Sequence, residues 1–297
     1  MAGADLAATS VRVAASVDRL FGHYLGDTGD GRDRLFAAMR HAGIGGGKRL
    51  RPLLTVATAR LFGLDEERAI RAGAAIEAIH VYSLIHDDLP CMDDDDLRRG
   101  KPTVHRLFDE ATAVLAGDCF HDLAYEILGD VATHEDPFVR AELVLALSRA
   151  TGAHGMAGGQ MLDLAAEGQP LDLGAITRLQ QLKTGALIEY AVEAACIMGR
   201  VAPEARTPYR GYARDIGLAF QIADDLLDHG GDEAAAGKRL HKDAEAGKAT
   251  FVSLLGEDRA RQQCSMLVGQ ALDHLRAHGE EADLLRAIAR YVEERDR

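Results

Sequence analysis

The spacing of apolar residues constrains this chain most, because they recur at every third or fourth position and not at every second. That period places apolar side chains on one face of a helix, whereas a half-buried strand alternates with a period of two. The same segments are rich in Ala, Leu, Glu and Arg, which lose little side-chain entropy in a helix. The sequence therefore predicts an all-α fold, a single large helical bundle.

The helical pattern covers most of the chain. The predicted helices are residues 6–24, 32–41, 51–61, 66–89, 110–128, 138–153, 155–167, 172–198, 203–227, 259–277 and 280–294. Glycine, charge and turn residues concentrate in the loops 41–48, 93–102 and 229–248. No Pro- or Ser-rich linker divides the chain, so we expect one domain over residues 1–297, with about residues 1–30 peripheral.

The balance of charge limits the partners of such a bundle. The 34 Lys and Arg against 47 Asp and Glu give a formal charge of −13, which suits neither nucleic acid nor an anionic lipid surface. The four cysteines form no CxxC pair, so neither a disulfide framework nor a structural zinc site is indicated. No segment approaches the ~20 apolar residues of a membrane-spanning helix. We expect a cytoplasmic protein without a membrane span.

An acidic cluster follows the apolar helix that ends near Ile85. Six carboxylates lie in the ten residues from Asp87 to Asp96, and like charges gathered in this way repel one another unless a cation joins them. Pro90 disrupts the helix, which allows Asp93 to fold back toward Asp87. A solvated helix end would explain the charge alone. It would not explain why the cluster continues a helix face that looks buried.

A second acidic cluster lies inside the apolar segment 220–228. Gln221, Asp224 and Asp228 follow at i, i+3 and i+7 and therefore share one stripe of a helix. Carboxylates among apolar neighbours are costly unless they are paired or bind a metal. Mg²⁺ is usually bound by one or two carboxylates together with substrate phosphates. The two clusters therefore predict Mg²⁺ between facing acidic walls that a diphosphate bridges.

Cationic segments accompany both acidic clusters. Residues 45–52, GGGKRLRP, open a predicted helix with three cations, and a helix N-terminus adds partial positive charge. This is not a Walker A loop, since Ala42 stands where the first glycine belongs and Arg49 replaces Ser or Thr. Further nitrogen side chains near the clusters are His80, Arg98, Arg99, Lys101, Lys183, Lys238 and Lys248. Together these groups suit two bound diphosphates.

The motifs occur together in one known family. The chain contains GGKRLRP at 46–52, DDLPCMDDDDLRRGKPT at 87–103, GGQMLDL at 158–164, KTG at 183–185 and FQIADDLLD at 220–228. In motif order and spacing, from about Arg32 to Tyr291, it resembles the trans-isoprenyl diphosphate synthases and, within them, the bacterial farnesyl diphosphate synthases. The resemblance implies a helical bundle around a deep central cavity, the isoprenoid synthase fold, and a homodimer.

The resemblance also implies a reaction and a set of site residues. The reaction is the Mg²⁺-assisted condensation of isopentenyl diphosphate with dimethylallyl or geranyl diphosphate to farnesyl diphosphate, with about three Mg²⁺ ions per active site. The implied metal ligands are Asp87, Asp93, Asp224 and Asp228, supported by Asp88 and Asp225. The implied isopentenyl diphosphate site consists of Lys48, Arg51, His80 and Arg99. The allylic diphosphate is assigned to Arg98, Lys183, Thr184, Gln221, Lys238 and Lys248.

The resemblance implies that three of these residues also act in catalysis. Two further residues match a family motif that is implied to support them. The main-chain carbonyl of Lys183, the hydroxyl of Thr184 and the amide of Gln221 would offer oxygen dipoles to the allylic carbocation. Gln160 and Asp163 match a motif that supports these groups. Product length is expected to depend on Tyr82 and Ser83, one turn before Asp87, where a bulky Tyr82 would act as a floor and favour a C15 product.

Other readings of the motifs remain open. A geranylgeranyl diphosphate synthase shares all of them. The pair His86-Asp87 also fits a metal-dependent phosphohydrolase, which would release inorganic phosphate without forming a C–C bond. A non-catalytic acidic helical binding module, or an inactive partner subunit, would explain the acidic runs but not the matching cations. A terpene cyclase, which uses one diphosphate, would not need the set Lys48, Arg51 and Arg99.

Overall fold

Helices form most of the chain, which confirms the predicted all-α class. A computed structural model describes residues 2–166, 168–169, 171–230 and 250–294. Its helices are α1 (Ala2–Tyr24), α2 (Asp33–Gly43), α3 (Leu50–Leu61), α4 (Glu66–Asp87), α5 (Val104–Leu107), α6 (Glu110–Gly129), α7 (Pro137–Thr151), α8 (Met156–Ala165), α9 (Leu173–Gln180), α10 (Ala186–Met198), α11 (Thr207–Gly230), α12 (Phe251–Leu255), α13 (Glu257–His274) and α14 (Asp283–Glu294).

Several helices begin where an aspartate caps them. Asp65 accepts a hydrogen bond from the backbone nitrogen of Arg68 at 2.9 Å, at the start of α4. Asp109 and Asp172 play the same part for α6 and α9, in each case toward the third residue beyond the cap. Such a carboxylate satisfies a backbone N–H that has no partner within the helix and interacts favourably with the helix dipole. The sequence therefore encodes these boundaries locally.

Helix α4 lies at the centre of the bundle, in contact with α1, α2, α3, α6 and α10. Its residues Ile76 and Ile79 are fully buried. Gly73 admits α3 closely, because a Cβ there would lie 2.7 Å from the Cα of Pro52. This packing holds the first half of α4 against the start of α3, which carries the end of the GGGKRLRP segment.

Two predicted elements differ from those observed. The predicted helix 172–198 is interrupted by a π-helical turn, Gln181–Gly185, between α9 and α10. Close packing accompanies this interruption, since a Cβ on Gly159 of α8 would lie 2.2 Å from the backbone nitrogen of Lys183. The predicted loop 93–102 contains a short hairpin, in which β1 (Leu97–Arg98) pairs antiparallel with β2 (Lys101–Pro102).

Helix α1 contributes to the core although it begins the chain. Val13, Val17 and Phe21 are fully buried, and the ring of Phe21 meets Phe120 of α6 edge-on at 5.6 Å. The division of residues 1–297 into domains stays a prediction. Within the described ranges, no helix has both the length and the apolar character required to cross a bilayer.

Candidate active site

The first acidic cluster folds back on the end of α4, as Pro90 predicts. The backbone nitrogen of Asp93 donates to the carbonyl oxygen of Asp87 at 2.8 Å, and that of Asp95 donates to the carbonyl of Asp88 at 3.2 Å. Asp94 adopts a left-handed backbone conformation, with φ of 47°, within this turn. The main chains of Asp87 and Asp93 are therefore adjacent at one helix end, although six positions separate them in sequence.

Burial raises the pKa of two carboxyl groups in this cluster. It raises the pKa of Asp87 to about 6, and the neighbouring charge of Asp93 adds to the rise while Lys183 opposes it. Burial also raises the pKa of Asp88, against the opposing hydrogen bond from Arg98. The Nε of Arg98 lies 2.9 Å from Oδ1 of Asp88, and its Nη2 lies 3.1 Å from Asp95. Arg98, predicted to bind the allylic diphosphate, is thus an ion-pair partner of this cluster.

The second acidic cluster lies on α11, which runs unbroken through it. Asp224, Asp225 and Asp228 are all partly exposed. Asp225 accepts a hydrogen bond from the backbone nitrogen of Phe251 at 2.7 Å, which ties α11 to the start of α12. Gln221 donates from its side-chain amide to Gln180 at 2.7 Å. Asp225 thus has a structural partner, while Asp224 also interacts electrostatically with Arg51.

Three of the four predicted isopentenyl diphosphate residues, Arg51, His80 and Arg99, come together between α3, α4 and the hairpin. Burial lowers the pKa of His80, and the positive charges of Arg51 and Arg99 lower it further, so the imidazole is neutral near pH 7. Arg99 packs on the glycine loop, where a Cβ at Gly47 would lie 2.5 Å from its Nη1 atom. Lys48 is exposed and lines a pocket with Leu6 of α1 and Tyr291 of α14 instead. The region around Arg51 and Arg99 concentrates positive charge next to Asp224.

Lys183 lies in the π-helical turn and faces the predicted supporting motif. Its Nζ donates to Oδ2 of Asp163 on α8 at 2.7 Å. A π-helical turn inserts one residue into the helix and frequently marks a functional site. Lys183 interacts electrostatically with Asp87, and the turn packs against α11, which carries Asp224. The turn therefore interacts with the first acidic cluster and contacts the helix that carries the second.

One charged residue in this region, Glu77, was not singled out from the sequence, and Arg49 was recognised there only as part of the cationic GGGKRLRP segment. Arg49 and Glu77 form a buried ion pair, with 2.9 Å between Nη1 and Oε1. The signal for Glu77 was present, since it is the one charged residue within the otherwise apolar segment 72–79. Of the predicted residues, Lys238 and Lys248 lie outside the described residues. The assigned roles of the remaining site residues stay predictions.

The residue thought to limit product length has defined neighbours. The ring of Tyr82 meets His86 edge-on at 5.2 Å and His121 of α6 edge-on at 5.4 Å. The Ser83 hydroxyl donates to the carbonyl of His80 at 2.9 Å, within its own helix. Edge-to-face contacts of this kind stabilise a ring beyond its burial alone. Tyr82 is therefore held from both sides.

The donor set fits Mg²⁺ without forming a finished metal site. Across the described residues, no three His, Cys, Asp or Glu side chains converge closely enough to hold a metal ion. Mg²⁺ prefers oxygen ligands and usually keeps waters and substrate phosphates beside one or two carboxylates. The first cluster offers such oxygens, and a cation there would offset the cost of ionising the buried Asp87. The residues present therefore fit the ion.

The helical bundle and its two aspartate-rich helix ends define the class of isoprenoid synthases. Comparison with known proteins agrees, because the profile of the family described as polyprenyl synthetase matches residues 32–294. That match extends over most of the chain and includes both acidic clusters and the GGGKRLRP segment. The chain belongs to the polyprenyl synthetase family.

Individual relatives resemble the chain over nearly its whole length. It is 44% identical to the farnesyl diphosphate synthase of Escherichia coli (strain K12), over 87% of this chain and 88% of the relative. The apo structure of an FPP/GFPP synthase from Zymomonas mobilis is 57% identical, with a TM-score of 0.91 and coverage of 97% and 99%. The geranyltransferase of Helicobacter pylori, complexed with magnesium and isoprenyl diphosphate, is 32% identical, with a TM-score of 0.80 and coverage of 94% of each chain.

Proposed function

We propose that the chain is a prenyltransferase that joins isopentenyl diphosphate to dimethylallyl and then geranyl diphosphate and releases farnesyl diphosphate. One observation carries the proposal. A cationic region around Arg51 and Arg99 adjoins Asp224, while Asp87 and Lys183 interact at the other acidic cluster. Such an arrangement provides for two anionic headgroups and the cations between them. The family and the name of the Escherichia coli relative support the same activity.

Isopentenyl diphosphate binds to the cationic region on α3, α4 and the hairpin. Lys48, Arg51 and Arg99 neutralise its charge, and arginine donates to phosphate oxygens in a fixed, two-pronged geometry. Neutral His80 donates one N–H to the same headgroup without adding charge. These residues hold the nucleophilic double bond in place before the allylic substrate reacts.

The allylic diphosphate binds between the acidic clusters. Asp87, Asp93, Asp224 and Asp228 would hold Mg²⁺, with Asp88 and Asp225 in support, and Arg98, Lys183, Lys238 and Lys248 would bind the phosphate oxygens. Mg²⁺, when bound, supplies Lewis-acid stabilisation of the negative charge on the departing diphosphate. Asp163 fixes the Lys183 ammonium at 2.7 Å, so that this cation is in position before the substrate arrives.

The reaction then breaks one bond and forms another. The allylic C–O bond breaks with its electron pair on diphosphate, and the double bond of isopentenyl diphosphate attacks the allylic cation to form a C–C bond. A proton then leaves, and the released diphosphate accepts it. The carbonyl of Lys183, the hydroxyl of Thr184 and the amide of Gln221 stabilise the cation with their oxygen dipoles. Water must be excluded, since it would quench the cation to an alcohol.

Tyr82 sets the product length in this proposal. Its ring, held between His86 and His121, closes the path of the growing chain below Asp87. Ser83, the other residue assigned to product length, is smaller, and its hydroxyl bonds within its own helix. Because the Tyr82 ring blocks further elongation at this position, the product stops at C15. A C20 product from the wild-type chain would favour the geranylgeranyl alternative instead.

The assembly and location of the protein are further parts of the proposal. Val114 and Leu115 on α6 are about half exposed, and a second copy would cover them in a homodimer. The four cysteines are free, which suits the reducing cytoplasm.

One incubation tests the proposal. The protein is supplied with Mg²⁺, isopentenyl diphosphate and geranyl diphosphate, and the products are separated by chain length after removal of diphosphate. We expect farnesyl product and release of one inorganic diphosphate per C–C bond. Release of inorganic phosphate without any longer prenyl chain, from protein with the helical circular dichroism of this fold, would overturn the assignment in favour of a phosphohydrolase.

A further inference from the structure

Arg49 belongs to the cationic loop by sequence but not by orientation. Its side chain is 1% exposed, whereas its neighbour Lys48 is exposed. The guanidinium bonds to Oδ1 of Asp18 on α1 at 2.8 Å, to Oε1 of Glu77 on α4 at 2.9 Å and to the carbonyl oxygen of Gly43 at the end of α2. One buried cation thus joins three helices at the base of the loop.

The backbone at Arg49 is also unusual. It has φ of 47° and ψ of 40°, the left-handed conformation, at the residue that precedes α3. Residues other than glycine adopt this conformation only where the surrounding structure holds them in it. Gly45 and Gly47 have positive φ as well, at 73° and 81°. The loop therefore has a specific shape, which the buried contacts of Arg49 maintain.

That shape places the cations predicted to bind isopentenyl diphosphate. Arg99 lies against Gly46 and Gly47, where only the absence of side chains admits its guanidinium. Lys48 directly precedes Arg49 in the chain, and Arg51 follows it by two positions. Glu77, the buried partner of Arg49, also attracts Arg51 and Arg99 electrostatically. A displacement of Arg49 would therefore reach all three cations.

We propose that Arg49 is a positioning residue for isopentenyl diphosphate, which it aligns by anchoring the loop to Asp18, Glu77 and Gly43 without touching the substrate. The inference rests on the proposed function, because it takes the assignment of Lys48, Arg51 and Arg99 to this substrate. It goes beyond that assignment by naming the group that fixes their geometry.

The variant Arg49→Lys tests the inference, because it keeps the charge but cannot reach three partners in three directions. We expect KM for isopentenyl diphosphate to rise about tenfold, since small misplacements of binding groups are costly. KM for geranyl diphosphate and kcat should stay within about twofold of wild type. The milder variant Asp18→Asn removes only one partner of Arg49, so it should raise KM for isopentenyl diphosphate by a smaller factor. This variant replaces Arg49→Lys in the test if Arg49→Lys does not fold.

The chain offers a matched control in Arg206. This arginine is also buried, with 5% of its side chain exposed, and it binds Glu142, Glu193 and the carbonyl oxygen of Val201. Arg206→Lys should lower the melting temperature as Arg49→Lys does but leave KM for isopentenyl diphosphate unchanged. A merely structural role of Arg49 would make the two variants alike in both respects.

The outcomes separate this inference from the proposed function. An unchanged KM for isopentenyl diphosphate in Arg49→Lys, or an equal rise for both substrates, would overturn the role of Arg49. A rise in Arg206→Lys of the same size would overturn it too. If the wild type forms no longer prenyl chain, the proposed function fails. Calorimetric titration with isopentenyl diphosphate then still tests Arg49, with tighter binding by wild type than by Arg49→Lys expected.

Discussion

The backbone nitrogen of Asp93 donates a hydrogen bond of 2.8 Å to the carbonyl oxygen of Asp87. This bond closes the turn that Pro90 starts and brings two carboxylate residues to one helix end. Asp224 of the second acidic cluster lies on α11 and interacts electrostatically with Arg51. The proposed reaction requires these two acidic clusters to act together on one diphosphate.

Loss of Asp224 should abolish most turnover. The variant Asp224→Ala removes a proposed metal ligand, and groups that stabilise developing charge are worth roughly 10²–10³ in kcat. Steady-state release of inorganic diphosphate measures the effect. Asp215→Asn is the matched control, since Asp215 lies on the same helix but pairs with His274 at 3.2 Å. Turnover of Asp224→Ala within a few-fold of the control would show that the second cluster does not bind the catalytic metal.

Shortening Tyr82 should lengthen the product. The variant Tyr82→Ala removes the ring that contacts His86 and His121, so the prenyl product should grow past C15 to C20. Chromatography of the dephosphorylated products measures the distribution. Tyr82→Phe keeps the ring and should keep C15. If Tyr82→Ala still yields only C15, Tyr82 is an ordinary core aromatic.

Removal of Asp163, the partner of Lys183, should selectively weaken the binding of the allylic substrate. In wild type, Nζ of Lys183 lies 2.7 Å from Oδ2 of Asp163, and Asp163→Asn removes that negative charge. Because Lys183 is then less well positioned, KM for geranyl diphosphate should rise about tenfold or more. Asp172→Ala, which deletes the cap of the neighbouring helix α9, serves as the control and should lower stability by about 1 kcal/mol without that effect. Equal KM values in both variants would contradict a binding role for Lys183.

The raised pKa of Asp87 predicts a pH-dependent stability of the metal-free protein. A carboxyl whose pKa is about 6 when folded and 3.8 when unfolded favours folding only in its protonated form. That contribution is present at low pH and is lost as the pH rises toward 6 and above.

Asp87→Asn should therefore be more stable than wild type at pH 8, by at most about 3 kcal/mol, and this advantage should fall by about half at pH 5. Denaturant unfolding of both proteins in a chelating buffer measures the difference. A variant that is less stable than wild type at pH 8 would show that burial does not destabilise the charge of Asp87. Asp118→Asn, at an exposed position of α6, is the control for the loss of one carboxylate from the protein.

Much of this architecture could be predicted from the sequence, because local signals determine it. The period of three to four gave the helical class, and Asp65, Asp109 and Asp172 mark helix starts by capping. Pro90 predicted that the chain folds back and brings Asp93 close to Asp87. In each case the cause lies within a few residues of its effect, so a single chain reveals it.

The remaining features depend on contacts between distant segments. The π-helical turn at Gln181–Gly185 accompanies the close approach of Gly159, which is far away in sequence. The left-handed Arg49 depends on Asp18 and Glu77, 31 and 28 positions away. No local pattern announces such contacts. The sequence therefore assigned Arg49 to a cationic loop without showing that its side chain is buried.

The most direct test of the central claim is the location of the metal ions. Crystals grown with Mn²⁺ and an unreactive allylic diphosphate analogue would show the ions by anomalous scattering. We predict peaks at roughly 2 Å from carboxylate oxygens of Asp87 and Asp93 and from Asp224, all bridged by one diphosphate. Peaks confined to one acidic end, or a diphosphate bound without contact to either, would contradict the account.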